Sequence, residues 1–110
     1  FFAALRGVPA GRAGRHIREL AAEFGVSGAL GAPARGLSRG TLDRLALVRA
    51  LLGNPAVLLL DEPFAALDER GRDLAWRALK RRFDRGCSAV LTTHDPTVAQ
   101  QCDLVAGLQT

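Results

Sequence analysis

Five aliphatic residues in a row, Ala56-Val57-Leu58-Leu59-Leu60, end abruptly in two carboxylates and a proline, Asp61-Glu62-Pro63. No polar residue alternates within the run, so it does not read as a strand with one wet face. An unbroken apolar stretch this short predicts instead a central strand of a parallel sheet, covered on both faces. In parallel sheets ligands bind beyond the carboxyl ends of the strands. Asp61 and Glu62 stand at that place, and either they belong to a site or the strand simply turns into solvent there.

The flanking sequence agrees with a sheet of this kind. Ala13, Ile17, Leu20, Ala21 and Phe24 fall at helical spacing, with Arg15, Arg18, Glu19 and Glu23 between them, and predict an amphipathic helix over 13–24. A loop rich in Gly and Pro follows over 25–36. Leu42, Leu45, Val48 and Leu52 predict a second helix after Ser38, stopped by Gly53-Asn54-Pro55. Beyond the apolar run, Ala75, Leu79 and Phe83 predict a long helix over 69–85 with Gly86 as its stop, and residues 88–92 read as another buried strand. Asp95 is suited to cap a short helix that has Pro96 at its first position and runs to about Gln101. A last strand is expected over 103–108. Strands and helices in alternation predict an α/β fold, a parallel sheet joined by right-handed crossovers.

Composition narrows the function classes. The 110 residues carry 15 basic and 11 acidic side chains, and all the basic ones except Lys80 are Arg. They are spread from Arg6 to Arg85, and aromatic residues make up 5%, so no stacking platform for a nucleic acid accompanies the charge. The densest cluster, Arg81, Arg82 and Arg85, reads as a solvated face. Cys87 and Cys102 lack any metal-ligand or paired spacing and are expected as small core residues of a protein from a reducing cytoplasm. No stretch is long and apolar enough to insert in a membrane. The lack of Met and the opening Phe1-Phe2 are expected of a chain that begins inside a longer reading frame.

Two further groups carry chemistry. The second strand ends in Thr93-His94-Asp95, which in a parallel sheet brings His94 to the same rim as the two carboxylates. Adjacent carboxylates repel at the edge of a core unless a cation or a mechanism keeps them, and Mg²⁺ with a bound nucleotide does both. Ser38-Arg39-Gly40-Thr41 stands where a loop becomes a helix. Its N–H groups and hydroxyls could hold a phosphate, or Ser38 and Thr41 could serve as ordinary caps.

Taken in order, residues 37–41, the run Arg44-Leu45-Ala46-Leu47-Val48-Arg49-Ala50-Leu51, residues 57–63, Ala66-Leu67-Asp68 and His94-Asp95 resemble the second half of an ABC ATPase. The resemblance implies a partial P-loop NTPase cassette. Residues 1–53 would be the remainder of its helical subdomain with the signature motif, and residues 54–110 the second half of the catalytic α/β core. It further implies that residues 37–41 are the signature motif, 58–62 the Walker B strand, 65–68 the D-loop and His94 the switch histidine. On that carry-over Asp61 holds Mg²⁺ through water, Glu62 deprotonates the water that attacks ATP, and His94 contacts the γ-phosphate. Ser38 and the Gly40 backbone reach across a head-to-tail dimer to the partner's nucleotide, Arg39 and Thr41 complete that binding motif, with Arg39 able to add a cation near the phosphate, and Asp68 links the two sites. Phosphoryl transfer asks a protein mainly to position water and neutralise charge, which suits these residue types. The implied protein is a cytoplasmic subunit on the inner face of the membrane, attached through a transmembrane permease.

The chain departs from the family pattern in places. Arg39 stands for a signature glycine and Thr41 for its glutamine. Lys80 is not preceded by the glycines of a P-loop, and Gln100, Gln101 and Gln109 all follow His94, so neither Walker A nor a Q-loop is present. Residues 1–8 with 37–40 are similar to haem-exporter and drug-exporter subunits. Two alternatives stay open at this stage: a catalytically incompetent piece that supplies only its signature motif to a partner, and a soluble ABC ATPase with no transport role.

Overall fold

The computed structural model describes residues 11–107. The stretch 1–8 that carries part of the exporter resemblance lies outside them. In chain order come α1 (Gly11–Glu23), two 3-10 turns (Ser27–Ala29 and Ala34–Gly36), α2 (Arg39–Leu51), β1 (Val57–Asp61), α3 (Glu69–Asp84), β2 (Ser88–Thr92) and α4 (Pro96–Ala99). Three of the helix starts have a local cause. The Ser38 hydroxyl accepts from the Thr41 N–H to start α2, Asp68 accepts from Gly71 N–H to start α3, and Asp95 accepts from Thr97 N–H to start α4 with Pro96 at its first position. After α2 the chain reverses through Gly53 and Asn54, both at positive φ (81° and 52°), a conformation that Gly and Asn tolerate best.

The three long helices pack on one another, α1 against both α2 and α3, and α2 against α3. Their shared core is built from Leu20, Phe24, Leu45, Val48, Leu51 and Leu79, each under 2% exposed. Ala13, expected on the inner face of α1, is exposed, and Gly14 takes the buried place instead. The basic cluster is not simply a solvated face. Arg82 is 12% exposed on its side chain and donates to Glu23 at 2.7 Å, with Arg81 beside the same carboxylate, so the cluster ties α3 to the end of α1. Cys87 and Cys102 are free thiols and half-buried, and Cys87 packs against the edge of the core.

β1 and β2 pair in parallel, Leu58 with Ala89, Leu59 with Val90 and Asp61 with Thr92. The face bearing Leu58, Leu60, Ala89 and Leu91 turns toward the helices. The opposite face does not: Val57, Leu59 and Val90 are 59%, 79% and 65% exposed. The expectation that the apolar run is covered on both faces is thus corrected, because the described helices pack on one side only. The register makes this open face lead directly to Asp61 and Thr92.

The strand expected over 103–108 does not form in the described part of that range. Asp103 to Gly107 is irregular, with Leu104 and Val105 93% and 66% exposed, and residue 108 lies outside the described residues. A strand is stabilised by the ladder and by the side chains it buries. This segment pairs with neither β1 nor β2, and Leu104, Val105 and Ala106, followed by Gly107, bury nothing here.

Candidate functional site

The rim of the sheet gathers three of the expected residues. β1 ends at Asp61, whose Oδ1 accepts a short hydrogen bond from the hydroxyl of Thr92, its partner across the ladder. Glu62 follows with φ at 45°, left-handed for a residue with a long side chain. Such a conformation costs on the order of 1–3 kcal/mol and persists where surrounding contacts enforce it. The enforcing group is again Thr92, since the Glu62 N–H donates to both its carbonyl and its hydroxyl, each at 3.1 Å. Buried Pro63 and Phe64 anchor the chain directly after it. The turned backbone aims the Glu62 carboxylate at the loop after β2, where His94 Nε2 stands 3.5 Å from Oε1. That oxygen is occluded yet accepts no hydrogen bond, and the imidazole is almost wholly exposed. A buried acceptor without a donor is a costly arrangement, and the imidazole of His94 is the polar group that approaches it.

A second layer holds the two loops that carry Glu62 and His94. Arg72 on α3 donates through Nε to the Phe64 carbonyl at 3.3 Å, and its terminal nitrogen pairs with Asp95 Oδ2 at 2.9 Å. The Phe64 ring is fixed edge-on against Trp76, 5.7 Å between centroids. Asp95 Oδ1 accepts from the Thr97 hydroxyl at 2.7 Å and the Thr97 N–H at 2.9 Å. These bonds, the Thr97 hydroxyl first, then the Thr97 N–H and after them Arg72, hold the Asp95 carboxyl below the usual aspartate range. A lowered folded value means that the carboxylate stabilises the fold at pH above its unfolded value, and that this contribution is lost as pH falls through the folded value. Removing the hydroxyl in Thr97→Val is therefore expected to raise the Asp95 midpoint in a carboxyl NMR titration; an unmoved midpoint would contradict the assigned cause.

Ser38, Arg39, Gly40, Thr41 and Asp68 form a separate group. Together with Arg44, Ala66 and Leu67 they line a cavity of about 320 Å³ where the start of α2 faces the loop before α3. The Ser38 hydroxyl is engaged in the cap, accepting from Thr41 N–H at 3.1 Å and donating to Thr41 Oγ1 at 2.9 Å. Arg39 takes an ordinary helical φ, and its exposed guanidinium reaches back to Asp43 at 3.4 Å. The close backbone approach falls on Gly40, where a Cβ would stand 3.0 Å from the Ala66 carbonyl oxygen. Asp68 spends Oδ1 on the Gly71 N–H at 2.7 Å. Arg44, which the sequence did not single out as a site residue, donates to the carbonyls of Phe24 at 3.1 Å, Gly25 at 3.4 Å and Gly40 at 3.5 Å. It joins the end of α1 to the start of α2.

A family model described as ABC transporter matches residues 6–65, more than half of the chain. The chain belongs to the ABC transporter family. Members of this family are ATPases. The chain is 47% identical over 88 residues to a zinc import ATP-binding protein, ZnuC, of Alkalilimnicola ehrlichii, covering 79% of this chain and 34% of that protein. It is 40% identical over 111 residues to an ABC-type organic anion transporter, ABCA8B, of Mus musculus, covering 97% of this chain and 7% of that protein. A macrolide export ATP-binding/permease protein, MacB, of Salmonella choleraesuis is 35% identical over 88 residues, 80% of this chain and 14% of its own length. The chain thus spans 34% or less of the length of each of these relatives. The α/β architecture agrees with part of an ABC P-loop NTPase cassette.

An ABC site of this kind implies Mg²⁺, and the rim oxygens fit it. The Asp61 carboxylate, the Thr92 hydroxyl and the neighbouring Glu62 carboxylate are hard oxygen donors, and Mg²⁺ is commonly held by one or two carboxylates with waters and substrate phosphates. Among the described residues no group of three or more His, Cys, Asp or Glu side chains is arranged to hold a metal alone. Most of the ion's shell would therefore come from phosphate and water.

Proposed function

We propose that this chain is the second half of the ATP-binding domain of an ABC transporter, with residues 1–53 the remainder of the helical subdomain and residues 54–110 the end of the catalytic core. The observation that carries the reading is Glu62. It sits in a strained backbone conformation, beside a carboxylate that fits Mg²⁺, with an occluded oxygen that accepts no hydrogen bond and a histidine 3.5 Å away.

On this reading Glu62 accepts the proton of the attacking water, and His94 keeps that water and the γ-phosphate in line with it. Asp61 would hold Mg²⁺, which neutralises charge on the phosphates when bound. Ser38 and Gly40, flanked by Arg39 and Thr41, would present the start of α2 to the nucleotide of a partner in a head-to-tail dimer, with Asp68 between the two sites. The sequence contains no G-x-x-x-x-G-K-[ST] motif, so on this reading its own residues do not form the phosphate cradle. Val57, Leu59 and Val90 form an open apolar face on the side of the sheet that leads to Asp61.

A permease subunit would be the membrane partner and would place the domain on the inner face of the membrane. Among the described residues no helix is long and apolar enough to cross a membrane. The test is steady-state ATP turnover of the full-length protein with that partner. Loss of turnover in Glu62→Gln with nucleotide binding retained supports the assignment, and wild-type turnover overturns it.

A narrower reading is that the transporter exports its cargo, a haem or a drug. It rests on residues 1–8 and 37–40 and is supported by the likeness to the macrolide exporter. The higher identity to the zinc import protein weighs against it. Turnover stimulated by haem or a macrolide in proteoliposomes supports export; stimulation only by a zinc-loaded binding protein overturns it.

A further inference from the structure

The two loops that carry Glu62 and His94 touch at a single 3.5 Å approach between side chains, and one of those side chains is almost wholly exposed. An exposed imidazole on a loop has many rotamers, and nothing in that approach alone would hold the pair in register. The Thr92 hydrogen bonds fix where the two loops start, and a further tie is needed to hold the segments beyond that point together.

Arg72 is placed to do so. Its Nε donates to the carbonyl of Phe64, two residues after Glu62, and its terminal nitrogen pairs with the carboxylate of Asp95, the residue after His94. The guanidinium is a rigid planar fork, so bonds from two of its nitrogens fix the separation of their acceptors in a way that an ammonium on a flexible stem does not. Both acceptors are themselves immobilised. Phe64 is 4% exposed and its ring is wedged edge-on against Trp76. Asp95 is bound through its other oxygen to the hydroxyl and N–H of Thr97. Arg72 itself rises from the first turn of α3, where its own N–H bonds the Asp68 carbonyl.

We infer that Arg72 is a positioning residue for ATP hydrolysis, a clamp between the Phe64 carbonyl and Asp95 that holds the Glu62 turn and the His94 loop at working distance. This rests on the reading of Glu62 as base. Arg72 bonds neither the Glu62 carboxylate nor the His94 imidazole, so its effect passes through where they stand. Loosening the clamp leaves Asp61 and the start of α2 in place, and it misplaces the base and His94 against the attacking water. A misplacement of about 1 Å costs on the order of 10²-fold in rate.

The experiment is the kinetics of Arg72→Ala, Arg72→Lys, Asp95→Asn and the Arg72→Ala/Asp95→Asn pair in the full-length protein with its membrane partner, each also made on a Glu62→Gln background. Arg72→Ala and Asp95→Asn are expected to lower kcat by about 10-fold to 100-fold with KM for ATP within about twofold. The pair should be no worse than the worse single variant, since both break one clamp. Arg72→Lys, which can keep the Asp95 contact but not the fork, should fall between, and it serves as the test variant where Arg72→Ala does not fold. On the Glu62→Gln background the Arg72 substitutions should lower the residual rate by clearly less than they lower kcat in the wild type, because only the His94 loop is left to position. Wild-type kcat in Arg72→Ala or Asp95→Asn, additive losses in the pair, or an equal further loss on the Glu62→Gln background would overturn the clamp. Failure of the base assignment is separate: Glu62→Gln alone would then turn over normally.

Discussion

Glu62→Gln in the full-length protein is expected to lower ATP turnover by about 10² to 10³-fold while leaving Mg-ATP affinity nearly unchanged. The amide keeps the size of the carboxylate and removes its capacity to take a proton, so the loss isolates the base from the fold. Little structural penalty is expected with it. The strained φ of 45° is enforced through the Glu62 N–H and Thr92, contacts that glutamine retains. The occluded Oε1 accepts no hydrogen bond that would be lost. Thermal unfolding should therefore move by less than about a degree or two, as for a substitution that breaks no core contact. A variant with normal turnover, or one whose loss of turnover is matched by loss of nucleotide binding, would remove the base assignment.

How far that assignment could be reached from sequence depended on which interactions are local. The caps at Ser38, Asp68 and Asp95 each join residues two or three apart, and those at Ser38 and Asp95 were foreseeable from residue type at the head of an apolar period. The meeting of Glu62 and His94 was also foreseeable, because parallel strands end on one rim and both residues directly follow a strand. Thr92 was legible only as the end of β2. Its hold on both Asp61 and Glu62 depends on the register of the two strands, which no local pattern in β1 or β2 specifies.

Arg72 and Arg44 were further out of reach. Each is one of many arginines on a helical period, and what distinguishes them is a carbonyl 8 or 20 positions away in sequence. Arg82 escaped for the same reason, its partner Glu23 being 59 positions distant. The apolar run was read as doubly covered because every side chain in it is aliphatic. Composition reports what a strand can bury, and the helices among the described residues reach only the face of Leu58 and Leu60. Asp103 to Gly107 shows the converse: local strand propensity yields no strand where no edge pairs with it.

The proposed dimer makes its own large prediction, through Gly40. A glycine in the first turn of a helix at ordinary φ costs stability relative to alanine by roughly 0.5–1 kcal/mol, so helix propensity alone favours replacing it. The Ala66 carbonyl oppposes that, because a Cβ on residue 40 would sit 3.0 Å from its oxygen and 3.8 Å from Leu67 Cδ2. A branched side chain adds atoms to the same crowded space. Gly40→Val is expected to force the start of α2 away from the loop before Asp68, at a cost of about 1–3 kcal/mol, and to lower turnover by on the order of 10²-fold through the misplaced Ser38 and Gly40 backbone. Mixed dimers then decide whether that segment serves its own site or its partner's. If Gly40 of one subunit completes the site containing Glu62 of the other, Gly40→Val and Glu62→Gln placed in different subunits spoil the same site and spare the second, which keeps roughly half of the activity where the sites turn over independently. Placed together in one subunit, they spoil both. A site assembled within one chain gives the reverse pattern, half activity with the substitutions together and none with them apart, and that result would exclude the head-to-tail arrangement.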